Sequence, residues 1–246
     1  MTNLSVNLDK VALLRNSRGH DFPNVIEFAK KFIRLGVHGI TIHPRQDERH
    51  IKMQDARDMA VLLQNYPAVE LNIEGFPSQE YLKLIEEISP DQCTIVPDTE
   101  DQLTSDHGWD LKKEKGFLRE VLGRIKKAGC RTSIFVDPYI EQIKLVPETT
   151  ADRIELYTES FASTFGTPDS DYVFEQFKSS AIEAQRLGIG VNAGHDLDLN
   201  NLPKFLEIDG ILEVSIGHAL IVECIEIGMK EVIQRYLDIC NSRKSN

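Results

Sequence analysis

Cysteine is scarce in this chain: four in 246 residues, at positions 93, 130, 224 and 240. They are widely scattered and form no CxxC pair, so neither a zinc site nor a dithiol redox motif has support. HExxH and HxxxH spacings are missing too, and no metal is expected. GxSxG, the nucleophile turn of serine hydrolases, is absent as well. No stretch approaches the roughly eighteen apolar residues of a membrane span. The opening Met1-Thr2-Asn3-Leu4-Ser5 lacks a basic region followed by an apolar one, so no signal peptide is read there. Scattered thiols without such a signal fit a reducing cytoplasm, where the protein is expected. Positive charge is the minority: Lys plus Arg number 28 against 39 Asp plus Glu, a net charge of −11. With no Lys/Arg-rich run, such a surface repels a phosphate backbone. Neither nucleic acid nor membrane is an expected partner.

What is present is ordinary in bulk, 41% hydrophobic and 27% charged, as in a soluble globular chain. The length suits two small domains or one large α/β domain. Short apolar runs alternate with polar loops and helix-period stretches. The strand candidates are Ser5–Leu8, Gly39–Ile42, Val69–Ile73, Cys93–Val96, Thr132–Val136, Arg153–Leu156, Gly190–Asn192 and Ile211–Val214, rich in Val, Ile and Phe. Between them lie apolar stripes at helical spacing: Ile26, Ala29, Ile33 and Gly36; Met53, Ala56, Ala60 and Leu63. A last helix is predicted to carry Ile221, Ile225, Met229, Val232, Tyr236 and Cys240 on one stripe. Gly36, Gly129 and Gly188 sit just before strands two, five and seven, where glycine commonly ends a helix. Eight strands alternating with helices in about 250 residues predict a (β/α)8 TIM barrel, one domain over residues 1–246. A doubly wound sheet is the alternative, but its first strand should run into a Gly-rich phosphate loop. Here Asp9-Lys10-Val11 follows, with no glycine until Gly19.

Chemistry in a (β/α)8 barrel sits at the C-terminal ends of the strands. Those ends carry Asn7 and Asp9 on strand one, then His43, Arg45, Arg49 and His50 on strand two, and Glu74 on strand three. Strand five offers Asp137, strand six Thr158 and Glu159, strand seven Asn192 and His195, strand eight Gly217 and His218. Any one polar residue after a strand is more often a helix cap than a catalyst. Asp137 before Pro138 reads as such a cap, and Asp9 could be one. His38 precedes its strand and belongs to the opposite, stabilising face. The functional reading rests on convergence: histidines and an acid on strands two, three and seven point into one mouth. Histidine exchanges protons near neutrality, and a partly desolvated Glu74 can act as a base. Arg18, Arg45 and Arg49 suit phosphate or carboxylate. Gly217, opening the helix after strand eight, bares backbone N–H groups at a positive dipole end. Without a close acidic or cysteine cluster, this set reads as proton transfer rather than metal binding.

Four segments carry a resemblance: Val6-Asn7-Leu8-Asp9-Lys10 through Arg18-Gly19, Gly39 to Arg45 through Arg49-His50-Ile51, Leu71-Asn72-Ile73-Glu74, and Val191 to His195 with Ile216-Gly217-His218-Ala219. In this order the chain resembles the pyridoxine 5′-phosphate synthases of the deoxyxylulose-dependent vitamin B6 pathway, from Val6 to the last helix. The resemblance implies a barrel with extra helices that assemble a homo-octamer. It implies condensation of 3-amino-2-oxopropyl phosphate with 1-deoxy-D-xylulose 5-phosphate, with no metal or organic cofactor. His43 and Glu74 match the family's proton acceptors and His195 its proton donor. Asn7, Arg18, Gly217 and His218 match residues holding the aminoketone phosphate. Asp9, Arg45, His50 and Thr104 match those holding the deoxyxylulose phosphate. The loop from Asp98 to Asp110 looks like the family's mobile cover.

The chain departs from the pattern at Lys10, where histidine is expected, and at Asp196, where glycine is expected. Both remain at substrate-contact positions. Tyr157 and Glu159 stand where histidine and glycine are expected. Two other readings use the same barrel: a Schiff-base aldolase acting through Lys10, and a non-catalytic sensor of phosphorylated ligands. A sensor could lose His43, Glu74 or His195, and this chain keeps all three.

Overall fold

The computed structural model describes residues 1–98 and 105–242. Its strands are β1 (Asn3–Asn7), β2 (Gly39–Ile42), β3 (Glu70–Gly75), β4 (Gln92–Ile95), β5 (Arg131–Val136), β6 (Arg153–Tyr157), β7 (Gly190–Gly194) and β8 (Ile211–Ile216). All eight predicted strands form, with ends shifted by one or two residues. They pair in parallel in sequence order, and β8 closes back on β1 through registers such as Leu4 with Val214. This is the (β/α)8 barrel that the alternation predicts.

The pleat explains how one sequence serves two environments. Successive side chains of a strand point to opposite faces. One parity is apolar and packs outward against helices: Leu4 and Val6, Ile40 and Ile42, Leu71 and Ile73, Ile154 and Leu156, all buried. The other parity points into the lumen and is largely polar: Ser5, Thr41, Asn72, Gln92, Thr94, Glu155, Asn192 and Glu213, also buried. Contacts prove the inward direction. Ser5 and Thr41 share a hydrogen bond of 2.7 Å, and Thr94 Oγ1 donates to Asn72 Oδ1 at 3.0 Å. Gln92 of β4 reaches across to Glu213 of β8 (3.3 Å) and accepts from Asn192 of β7 (3.3 Å). The lower end is closed by ions: Arg131 bonds Gln92 and pairs with Glu70, while Arg153 donates to Asn192 and lies 3.8 Å from Glu213. His38 sits at this lower end, accepting the Leu4 N–H at Nδ1 (3.2 Å), as its place before β2 predicts.

Helices ring the barrel: α1 (Asp9–Asn16), α2 (Val25–Arg34), α3 (Met53–Leu63), α4 (Gln79–Ile88), α5 (Leu111–Lys127) and the short α6 (Ile140–Ile143) and α7 (Val146–Thr149). Then come α8 (Glu159–Thr164), α9 (Ser170–Arg186), α10 (Leu202–Phe205), α11 (His218–Glu226) and α12 (Met229–Asn241). Asn24 and Ser78 cap α2 and α4, each accepting a backbone N–H three residues on. The single last helix predicted from 221 to 240 is two. Gly228, at φ +108°, turns the chain between α11 and α12, a backbone region that side chains disfavour. No helix among the described residues is long and apolar enough to cross a membrane.

The largest aromatic cluster locks α8, α9 and α10 together. Phe161 is fully buried, with the rings of Phe165, Phe174, Phe177 and Phe205 at centroid distances of 5.9, 6.2, 6.1 and 5.1 Å. Replacing it leaves a cavity among rings that have no freedom to collapse. Phe161→Ala should lose about 3–5 kcal/mol in urea unfolding; a loss under about 1 kcal/mol would show that the cluster repacks.

Candidate active site

At the C-terminal mouth of the barrel lies a cavity of about 410 Å³. Of the described residues that the family resemblance assigns to the site, all but Arg18 line it, whereas the strand-end residues Asp137, Thr158, Glu159 and Asn192 do not. Arg18 is exposed in the turn after α1, outside this lining, and Thr104 lies outside the described residues. The ends of β1, β2, β3, β6, β7 and β8 all contribute, so convergence follows from barrel closure.

β1 and β2 are tied at the mouth by Asp9. Its Oδ1 accepts the His43 N–H (3.0 Å), and Asn7 fixes it by donating to Oδ2 (3.1 Å). Asp9 therefore braces the neighbouring strand end instead of capping a helix. His50 Nδ1 accepts the Ile51 N–H (3.0 Å), so it carries no proton there, and its 3.7 Å separation from Asp9 is not an ion pair. The loop bearing His50 is held from outside. Arg15, buried, forms a two-pronged bond to Asp55 (2.6 and 2.8 Å) and donates to the His50 carbonyl. Asn16 donates to the Arg49 and His50 carbonyls.

Across the mouth, β6 and β7 hold His195. The Thr158 hydroxyl bonds the Gly194 carbonyl (2.6 Å) and that of His195, and Asn201 donates to the Asp196 carbonyl (3.0 Å). His195 and Asp196 both lie in the left-handed region, at φ +81° and +59°. That conformation explains why glycine is the expected residue at 196 and why aspartate, which tolerates it better than most, can replace it. A Cβ at Gly194 would collide with Glu155 Oε1, so this carboxyl rests directly on the β7 backbone. A Cβ at Gly217 would approach Asn7 Cβ to 3.1 Å, a second close backbone approach at the β1–β8 seam.

A second cavity of about 240 Å³ shares His43 and Arg45 with the first and extends to Phe76, Tyr81 and Asp98. Arg45 pairs with buried Asp98 at 2.8 Å, and the Ser105 hydroxyl donates to the same oxygen at 2.7 Å. Asp137 is no helix cap: α6 begins at Ile140, and the Asp137 carboxylate accepts the Gly108 N–H (3.2 Å), pinning the end of the β4–α5 connection to β5.

Burial dictates the charge states. Desolvation, reinforced by Glu155 and Asp9, raises Glu74 well above the usual carboxyl range. Burial next to Glu213 lifts Glu155 to about 8. Burial, then His50 and Arg45, pushes His43 well below 6.5, and burial takes His195 to about 4 with help from Lys10. Burial thus favours the protonated form of both acids and the neutral form of both imidazoles. Asp9, His43 and Glu74 also bring one ligand atom each within 4.8 Å of one another. The sequence reading allowed no such close cluster; the Asp9–His43 brace creates it. These three groups are the ones that could hold a cation.

The family described as pyridoxal phosphate biosynthesis protein PdxJ matches residues 4–242. The chain belongs to this family. Two PdxJ-type relatives, the pyridoxine 5′-phosphate synthases of Christiangramia forsetii and Flavobacterium johnsoniae, are 50% and 47% identical to it over 240 and 238 residues. The matches cover 97% and 96% of this chain and 99% and 98% of those proteins. The 3-hexulose-6-phosphate synthase of Salmonella typhimurium superposes with a TM-score of 0.62 at 15% identity, covering 97% of this chain and all of that one. That likeness shows the barrel alone.

In this PdxJ-family barrel the sequence reading missed Glu155 and the bracing residues Arg15, Asn16 and Asp98. Glu155 had a signal: a lone acid between Ile154 and Leu156 on a strand whose apolar parity faces the helices. Its protonation gives a pH test. A carboxyl at about 8 when folded and near 4.5 when unfolded weakens the fold as pH rises between those values. Glu155→Gln should therefore gain stability relative to the parent between pH 5 and pH 9, by roughly 3–5 kcal/mol in urea unfolding. An unchanged difference across that range would show Glu155 to be charged in the fold.

Proposed function

We propose that this PdxJ-family chain is a pyridoxine 5′-phosphate synthase that condenses 3-amino-2-oxopropyl phosphate with 1-deoxy-D-xylulose 5-phosphate. The products are pyridoxine 5′-phosphate, phosphate and water. The observation that carries this reading is the convergence of Glu74, Glu155, His43 and His195 in the mouth of one barrel, where burial shifts each toward its uncharged form. Imine formation, enolisation and loss of water each need a proton taken at one atom and given at another, which several acid/base groups in one mouth can do.

His43, held neutral, acts as proton acceptor. Glu74 becomes an acceptor once a substrate cation, such as a protonated imine, stabilises its carboxylate and its proton has passed to a substrate oxygen or to solvent. His195 becomes a donor when an adjacent substrate phosphate favours its charged form. Asn7, Gly217 and His218 hold the aminoketone phosphate at the β1–β8 seam, where α11 begins. Asp9, His50 and Arg45 hold the deoxyxylulose phosphate, and Lys10 supplies a cation close to His195. Arg18 and Thr104 join these sets by family resemblance. The two cavities sharing His43 and Arg45 suit two substrates that must meet.

The reaction is proposed to need no metal or organic cofactor, the Asp9–His43–Glu74 cluster working through protons. The protein is read as one barrel domain, a cytoplasmic enzyme and a homo-octamer. Exposed Leu13 and Leu14 of α1 and Val222 and Ile225 of α11 support an assembly of copies.

An end-point assay tests the reading. Purified protein with both phosphates and a chelator should release pyridoxine 5′-phosphate and phosphate, from particles sedimenting as octamers. Folded protein yielding neither product would favour the aldolase or sensor, and rescue by a divalent ion would overturn the metal-free reading. Glu74→Gln should lower kcat at least about 10²-fold while both substrates still bind; normal turnover would remove Glu74 from the chemistry.

A further inference from the structure

We propose that Tyr157 is a positioning residue: with Phe135 it forms an aromatic seat that fixes the His195 ring for proton transfer. The inference rests on the reading of His195 as a proton-transfer group and adds what holds it. Phe135 lies on β5 and Tyr157 on the adjacent β6. Their ring centroids are 5.2 Å apart, and the imidazole of His195 packs on both, at 4.9 Å from Phe135 and 5.3 Å from Tyr157. The ring of His195 is tilted at 57° on Phe135 and set edge-to-face at 75° on Tyr157, and such packing is orientation-dependent.

A histidine ring is ordinarily aimed by a hydrogen bond at the nitrogen that does not react. At His195 the Nδ1 is buried and makes no bond of full hydrogen-bond geometry among the described residues, and the nearby Gly194 carbonyl only tips the ring slightly toward its charged form. The Gly194 carbonyl already accepts both the backbone N–H and the hydroxyl of Thr158. The left-handed backbone at His195 sets where the ring starts, and the two aromatic faces are what remains to stop its rotation. With Nδ1 buried, Nε2 is the nitrogen left for substrate. The groups that act on the charge of His195 are Asp196 beside it, Lys10 of α1 and His43 after β2, and Glu155 of β6 lines the same cavity. The Tyr157 hydroxyl, pushed up to about 12 mainly by burial, stays neutral and is no proton donor at working pH. The seat therefore needs the ring and not the hydroxyl.

The test follows the His195 ring signal by NMR against pH, assigned with His195→Asn, beside kcat and KM for Tyr157→Phe, Tyr157→Leu and Phe135→Leu. Tyr157→Phe should keep the low titration near 4 and at least about half of kcat. Tyr157→Leu should admit water, move the titration up by about one to two pH units and lower kcat about tenfold or more, with KM changed less than about threefold. Phe135→Leu should act in the same direction, and it carries the test if Tyr157→Leu does not fold. A titration and kcat unmoved in the leucine variants would overturn the seat. Failure of Tyr157→Phe to preserve both would also overturn it, by moving the role to the hydroxyl. The titration is read without substrates, so a parent protein inactive on the two phosphates would sink the functional reading while the seat is still decided.

Discussion

A closed barrel has an inside that must satisfy itself, and here that inside is polar. The pleat sends every second side chain into the lumen, where Ser5, Thr41, Asn72, Thr94, Gln92, Asn192 and Glu213 find partners mainly on other strands. An unpaired polar group at such depth costs about as much as a lost hydrogen bond or more. Register errors are therefore excluded twice, by the apolar parity that must face the helices and by the polar parity that must find its partner. The same requirement makes the mouth what it is. Glu155 is the inward residue of β6 left without a hydrogen bond, and it resolves the conflict by keeping its proton.

Burial and chemistry are thus one phenomenon in this site. The groups that would relay protons are those whose solvation the barrel removes. Around them sit fixed ionic braces that solvent reaches little: Arg15 on Asp55 outside the His50 loop, and Arg45 on Asp98 between the two cavities. Charge is kept in the scaffold, while groups that burial shifts toward their neutral form occupy the centre. A site so arranged responds to the charge of whatever binds, because a bound charge changes the field on groups already displaced from their ordinary pKa values.

Much of this could be read from residues in order. The eight strands were legible because Val, Ile and Leu recur at every second position and glycines end the helices before them. The mouth was legible because histidines and acids fall just after those strands. Other features depend on geometry that spacing does not encode. The apolar stripe from Ile221 to Cys240 runs unbroken through Gly228, and only the backbone angle there divides α11 from α12. Arg15 and Arg18 are one helical turn apart and alike in sequence, yet one is a buried brace and the other an exposed residue in a turn. Asp137 precedes a proline as a cap would, but its bond reaches back to Gly108, far along the chain. Asp9 completes a cluster with His43 and Glu74 only because β1, β2 and β3 are neighbours in the closed sheet.

The contact between Glu155 and the β7 backbone bears on how this sequence can drift. The carboxyl fills the space that any side chain at position 194 would need. Alanine at 194 requires this carboxyl to turn aside or shorten, and a shortened acid alone would leave a void against the glycine. The two positions are therefore coupled, and a change at one alters what the other can accept.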